Sequence, residues 1–95
     1  MIDKTLYWNK LYDYYGSLLT EKQREIFESY YSDDLTLQEI ADNMHISKNA
    51  VHKTLNTITI KLERYEESVG YYKKIQEIKE KIKDEKVLNE ILEIL

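Results

Sequence analysis

The sequence predicts an all-α fold, and three observations carry that prediction. Apolar residues recur at helical spacing along most of the chain. There is no proline and there are only two glycines among 95 residues, so little material remains for tight turns. The segments "TEKQ" and "TLQE" have the pattern of helix starts. This length suits one small domain with an extended element.

The first two helices are predicted from aromatic residues and a capping pattern. The first runs from about residue 3 to 15, with Asp3 as its candidate cap, and its tyrosines are interpreted as core packing. Gly16 follows where a left-handed helix end is expected. The second helix covers about residues 21–31, because Thr20 and Gln23 form a capping box in "TEKQ".

The third and fourth helices are predicted to lie close together. In "TLQE" Thr36 caps a helix of little more than two turns, whose Ala41 is small enough for close packing. After His45, Ser47 is the next cap, and a fourth helix follows with an inward apolar seam. The seam residues are Val51, Leu55, Ile58 and Leu62. The segment "TLNTITIKL" also alternates as a strand would, but the seam runs through it and no partner strand is evident, so we expect a helix.

The tail from Tyr71 is strongly helical but changes register. Ile75, Ile78 and Ile82 follow heptad-like steps, and the next seam position is Glu85. The pattern therefore predicts either a stutter or two helices broken near "KDEK". Its apolar stripe needs a partner, which is either the aromatic first helix or a second copy of the chain. We expect a homodimer.

Composition argues against several functional classes. The chain has no cysteine and only two histidines, so we expect no disulfide, metal site or cofactor. It has no basic, apolar signal sequence and no apolar run near 18 residues, so we expect a cytoplasmic protein without a membrane span. Because no nucleophile, base and orienting group occur together, we predict neither an enzyme nor a small-molecule substrate.

The net charge is -4, and the charged residues are distributed unevenly along the chain. Residues 1–47 carry four basic and nine acidic side chains, and residues 63–95 carry seven basic and nine acidic ones. Residues 48–62 carry three lysines and no acid. The segment without acids begins where the fourth helix begins.

The span "TLQEIADNMHISKNAVHKTL" therefore predicts a helix-turn-helix, with its second helix able to enter the major groove of double-stranded DNA. Asparagine can bind adenine, and lysine can reach guanine or phosphate, whereas a solvated helix face is the plain alternative. Lys22 and Arg24 are further candidates for backbone contacts. The candidate DNA-binding residues are Ser47, Lys48, Asn49, His52, Lys53, Asn56, Lys61 and Thr36.

The span "LTEKQREIFESYYSDDLTLQEIADNMHISKNAVHKTLNTITIKLERYE" resembles the promoter-reading region four of bacterial sigma factors. With "YDYYGSLLTEKQ" before it and a charged helical tail behind it, the chain resembles the YlxM family of small bacterial proteins. The resemblance implies an all-α helix-turn-helix domain of the winged-helix-like DNA-binding class, followed by a C-terminal helical extension. We expect the domain to cover residues 1–66, with the helix-turn-helix at 36–62, and the tail to cover 67–95.

The same resemblance implies a function in DNA binding or regulation, with a link to the signal recognition particle through neighbouring genes. Family members often have arginine after the serine and tyrosine after the valine, where this chain has Lys48 and His52. The alternative is an interaction module that binds the protein or RNA of the signal recognition particle without specific DNA recognition.

Overall fold

The computed structural model describes residues 4–95, and this range contains helices and no strand. The α-helices are α1 Thr5–Tyr15, α2 Glu21–Tyr31, α3 Leu37–Met44, α4 Lys48–Val69, α5 Tyr71–Lys81 and α6 Glu85–Ile94. A 3-10 turn, Gly16–Leu18, follows α1. The predicted all-α class is confirmed, and "TLNTITIKL" is helical within α4. None of the helices formed by residues 4–95 has the length and apolar content needed to cross a membrane.

Gly16 ends α1 in a way that the sequence prediction missed. The predicted cap Asp3 lies outside the described residues, but the other end of α1 is defined. Gly16 has φ -57° and continues into the 3-10 turn, so the expected left-handed helix end is wrong. A Cβ at Gly16 would lie 3.0 Å from the Tyr12 ring, which stacks on Phe27 at a centroid distance of 4.2 Å. The glycine is therefore suited to close packing rather than to a positive φ.

Both predicted capping boxes are confirmed. At the start of α2 the Thr20 hydroxyl accepts a hydrogen bond from the Gln23 amide, and the Gln23 side chain accepts one from the Thr20 amide, each at 3.1 Å. Thr36 and Glu39 make the same reciprocal pair at the start of α3, also at 3.1 Å. These bonds satisfy backbone N–H groups that have no partner within the helix, and they fix where each helix begins.

The core consists of two apolar clusters that share α4. The first lies under α1 and α2, and the second lies between α2, α3 and the first half of α4. The first cluster contains Leu11, Tyr15, Leu19, Phe27, Ile58 and Leu62. The second contains Ile26, Ile40, Ala41, Val51 and Leu55. Every member of the predicted α4 seam is buried, so the inward face of this helix is confirmed.

A carboxylate from α4 caps the start of α5. Gly70 has φ 70° and ends α4, but it has no side chain with which to cap the next helix. Glu66 takes that role, because its Oε1 accepts from the Tyr72 amide at 3.0 Å and its Oε2 accepts from the Lys73 amide at 3.1 Å. The Tyr15 hydroxyl donates to the same Oε1 at 2.6 Å and accepts from the Tyr71 amide at 3.2 Å. One network thus joins α1, α4 and α5.

The tail breaks into two helices, which was one of the two predicted alternatives. The break spans residues 82–84, and the Asp84 carboxylate accepts hydrogen bonds from the Lys86 and Val87 amides at the start of α6. α5 folds back on α1, where Tyr72 meets Tyr7 edge to face at 5.1 Å. No residue of α6 is buried. The expected boundary between residues 66 and 67 falls within α4, and the division into a domain and a tail stays a prediction.

We predict that Tyr15→Phe reduces the loss of stability at alkaline pH. Burial, together with the hydrogen bond to Glu66, raises the pKa of Tyr15 to about 12, whereas an unperturbed tyrosine titrates near pH 10. Because the folded pKa is the higher one, this stabilisation is complete below about pH 10 and is lost as the pH rises through about 12. At neutral pH the variant should lose on the order of 1–2 kcal/mol with its hydrogen bond.

Urea unfolding across the alkaline range measures this difference, with the exposed Tyr30→Phe as control. Raised pKa values at Tyr7, Tyr12 and Tyr14 add to the loss of stability at alkaline pH in both proteins. The quantity to follow is therefore the gap in free energy of unfolding between wild type and Tyr15→Phe. A gap that stays constant through this range would contradict the assignment to Tyr15.

Candidate nucleic-acid interface

A three-residue turn, 45–47, joins α3 to α4. His45 adopts the left-handed conformation, with φ 58° and ψ 41°, at the position where a helix-turn-helix usually has glycine. The His45 and Ile46 amides both donate to the Ala41 carbonyl, and these bonds close the end of α3. Histidine tolerates this conformation better than β-branched residues do, so the turn forms without glycine.

Ala41 lies where α3 approaches α4. Its side chain is buried in one cluster with Ile40, Val51 and Leu55, as its small size predicted. Ile26 of α2 completes the contact from the other side. Because these side chains belong to three helices, α3 and α2 together fix the rotation of α4 about its own axis. The direction in which the outward residues of α4 point is therefore set by the core.

Ser47 caps the start of α4, as predicted. Its side-chain oxygen accepts a hydrogen bond from the Ala50 amide at 3.0 Å. The first amides of a helix have no carbonyl partner within it, and Lys48 and Asn49 lie at this end and are exposed. Oriented N–H groups next to a lysine are suited to a phosphate or another anion.

The outward face of α4 brings most of the candidate residues together. One shallow depression is lined by Ser47, Asn49, Ala50, His52, Lys53 and Asn56. Five of these are among the candidates, and all five are exposed. Lys48 is exposed at the first residue of the helix but does not line the depression. The face thus offers amide, imidazole and ammonium groups within the stretch that carries no acidic side chain.

The remaining candidates lie apart from this depression. Lys61 is about 20 Å from Lys48 along the helix axis, and its ammonium group donates to the Gln23 side chain at 3.5 Å. Thr36 is exposed at the start of α3, where its hydroxyl is engaged in the capping box. Lys22 is exposed, whereas Arg24 lines a different depression that also holds several carboxylates. Those carboxylates belong to Asp13, Glu21, Glu25 and Glu28.

Two residues of this face were absent from the sequence prediction. Ala50 lines the depression, and Thr57 is exposed one turn beyond Lys53, whose carbonyl accepts its hydroxyl hydrogen bond at 3.0 Å. The four-residue spacing from Lys53 could have identified Thr57. Ala50 has no polar side chain and gave no such signal. Within residues 4–95 no group of three or more histidine or acidic side chains is placed to hold a metal ion.

Comparison with known proteins gives one family over residues 2–94, UPF0122, described as "Putative helix-turn-helix protein, YlxM / p13 like". A UPF0122 protein of Caldanaerobacter subterraneus subsp. tengcongensis is 49% identical over 82 residues, covering 86% of this chain and 70% of that protein. One from Halalkalibacterium halodurans is 38% identical over 102 residues, covering 100% of this chain and 94% of that protein. A third, from Bacillus cereus strain AH187, is 40% identical over 97 residues, covering 95% and 88%.

We predict that substitutions at His45 separate backbone conformation from side-chain chemistry. His45→Val should destabilise the fold by about 1–2 kcal/mol, because a β-branched residue tolerates positive φ poorly. His45→Gly should leave the free energy of unfolding unchanged or slightly higher, since glycine adopts this conformation freely. Thermal and urea unfolding measure both. Equal losses in the two variants would show that the imidazole itself, rather than φ, stabilises the turn.

Proposed function

The chain belongs to the UPF0122 family of YlxM/p13-like helix-turn-helix proteins, and on this premise we propose that it is a regulatory protein that binds double-stranded DNA with α4 as its recognition helix. One observation carries the proposal. The core fixes α4 so that Asn49, His52 and Lys53 share an exposed face, in a stretch without acidic residues. Regulation of transcription is the activity that such binding would serve.

Each candidate residue has a role in this proposal. Asn49 and Asn56 are suited to base edges, because an amide can donate to and accept from adenine at once. Lys48 and Lys53 neutralise phosphates or reach guanine, and His52 donates or accepts a further hydrogen bond.

The helix starts at Thr36 and Ser47 direct backbone N–H groups toward phosphates, while Lys61 is suited to a phosphate farther along the DNA backbone.

The acidic total charge is compatible with DNA binding. Affinity for DNA depends on the counterions that the contacting cations displace, so the local face matters more than the whole chain. The lysines of α4 supply that local charge, whereas the negative body weakens nonspecific association. Lysine at position 48 also lacks the bidentate geometry of arginine. The proposal is therefore a binder of modest affinity and steep salt dependence.

We predict that Lys48→Ala/Lys53→Ala weakens duplex binding and flattens its salt dependence. Each lost phosphate contact removes about 0.9 from the slope of log affinity against log salt, so the double variant should lose up to about 1.8. Fluorescence anisotropy with labelled duplex DNA at several salt concentrations measures this slope.

The matched control is Lys79→Ala/Lys83→Ala, which removes the same charge from exposed positions in the tail. This control should keep the wild-type slope. Equal slopes for all three proteins would contradict the proposed face, and equal losses in both variants would indicate an effect of total charge alone.

We also propose that the protein acts as a homodimer in the cytoplasm. Two copies of a helix-turn-helix can read successive major grooves when their recognition helices are separated by roughly 34 Å or a multiple of it. In such an arrangement two α4 faces contribute to the affinity for one DNA site, although each face alone binds modestly.

A second candidate function is binding to the signal recognition particle, through its protein or its RNA. The observation that favours it is α6, whose side chains are all at least partly exposed although the helix carries five apolar residues. An amphipathic helix of this kind is suited to a groove on a partner. The partner itself is suggested by the family resemblance rather than by a feature of α6.

We predict that, under this second function, purified signal recognition particle retains the full chain and loses it when residues 84–95 are removed. Because α6 has no buried residue, the shortened chain should keep the core, which circular dichroism can verify. Retention measured with the particle's protein and with its RNA separately identifies the component that binds. Absence of binding by the full chain would contradict this function.

A further inference from the structure

The apolar residues of α6 form a single wide arc. At 100° per residue, the five apolar residues of the helix and the Leu95 that follows it fall within about 160° of the helix circumference. The five are Val87, Leu88, Ile91, Leu92 and Ile94. This arc is wider than one neighbouring helix can cover, and among the helices of residues 4–95 α5 is the one substantial neighbour of α6. The uncovered part lies along the edge formed by Val87 and Ile94.

α5 covers part of this arc. Leu88, Ile91 and Leu92 are half-buried, whereas the exposed fractions of Val87, Ile94 and Leu95 are 42%, 84% and 56%. Beside the covered part, an apolar groove runs between the two helices. It is lined by Lys74, Glu77, Ile78, Lys81, Ile82 and Ile91.

The two helices of the tail carry opposite charge. Residues 71–83 contain five lysines and two glutamates, and residues 84–95 contain four acids and one lysine. On α5, two lysines and one glutamate line the groove and are exposed, namely Lys74, Lys81 and Glu77, so the groove is basic on balance. On α6, Glu90 lies next to the exposed edge in the helical projection and is also exposed. A basic groove and an acidic apolar edge on one chain are complementary to each other.

We propose that this hairpin, α5 with α6, is the interface of a two-fold homodimer in which the Val87/Ile94 edge of each copy lies in the Lys74/Lys81 groove of the other. A two-fold interface requires each copy to present both halves of the contact, and this hairpin does so. Apolar burial supplies the affinity, and the opposite charges fix the orientation. A second copy is therefore a better occupant than an unrelated acidic or basic partner, which would complement only one half.

This interface is compatible with the proposed DNA face. α4 spans 22 residues, Lys48–Val69, about 31 Å along its axis. α5 begins after its last turn, and the groove shares no lining residue with the depression at the start of α4. The inference rests on the proposed homodimer and names its surface. A failure of dimerisation and the use of another surface are separate outcomes of the experiment below.

The first experiment measures the mass of the full-length protein by sedimentation equilibrium over a range of concentrations. Wild type should approach twice the 11.5 kDa of one chain. Val87→Lys/Ile94→Lys should raise the dimer dissociation constant at least about tenfold, because it places charge in an apolar contact and next to the lysines of the groove. Leu6→Lys/Leu18→Lys adds the same charge at two exposed leucines outside the hairpin and should remain dimeric.

The second experiment tests contact between copies by exchanging charges. Lys74→Glu/Lys81→Glu alone and Glu90→Lys alone should each weaken the homodimer, since each places like charges across the interface. Mixed together, the two variants should form a heterodimer with a dissociation constant near that of wild type, because both contacts then pair opposite charges. A rearrangement within one chain would not be restored by mixing.

The outcomes separate clearly. A monomeric wild type at every concentration overturns both the dimer and its surface. A dimer that persists in Val87→Lys/Ile94→Lys, or variants that fail to restore each other on mixing, overturns this surface alone. In each case the salt-dependent DNA titration is read separately, because none of these substitutions alters the outward residues of α4. A wild-type protein that is dimeric but does not bind duplex DNA would contradict the proposed function and leave the dimer surface standing.

Discussion

The inward seam of α4 is the interaction on which the rest of the structure depends. Ile58 and Leu62 complete the cluster under α1 and α2, while Val51 and Leu55 complete the cluster with α3. Fully burying one such side chain contributes roughly 1.5–3 kcal/mol, so this single stripe supports both halves of the core. It also has a geometric consequence. A helix held along four buried positions cannot rotate, and its polar face is therefore presented to solvent in one fixed direction.

The two ends of α4 are fixed by backbone conformation as well as by packing. His45 and Gly70 both have positive φ, and they stand immediately before and after this long helix and its N-terminal cap. The glycine provides no cap for the helix that follows it, and Glu66 supplies that cap from one turn earlier. The buried Tyr15 hydroxyl then links the cap to α1. The position of the tail is thus determined by a polar network at the edge of the core, in addition to the aromatic contacts of Tyr71 and Tyr72.

The sequence predicted the features that depend on local chemistry. Thr20, Thr36 and Ser47 identified three helix starts, because a capping hydroxyl and its amide are only three residues apart. The α4 seam followed from spacing alone. Gly16 was misread because its packing against Tyr12 depends on how that ring stacks on a different helix. The Tyr15–Glu66 bond joins residues 51 positions apart, and neither residue carries a local signal of it. Spacing also identified the exposed polar face of α4, but it did not reveal that Lys61 is drawn toward α2.

The outward face of α4 offers few contacts to phosphate, and the salt dependence of DNA affinity indicates how much dimerisation through the tail would add. If α4 neutralises at most three phosphates through its three lysines, the slope of log affinity against log salt is limited to about -2.7 for one copy. A dimer doubles that limit to about -5.4 without any new contact at either site, and linkage makes the second contact intramolecular. A recognition helix with few phosphate contacts, on an acidic protein, thus gains affinity for DNA mainly through dimerisation. Under both proposals, the apolar edge of α6 supplies that pairing.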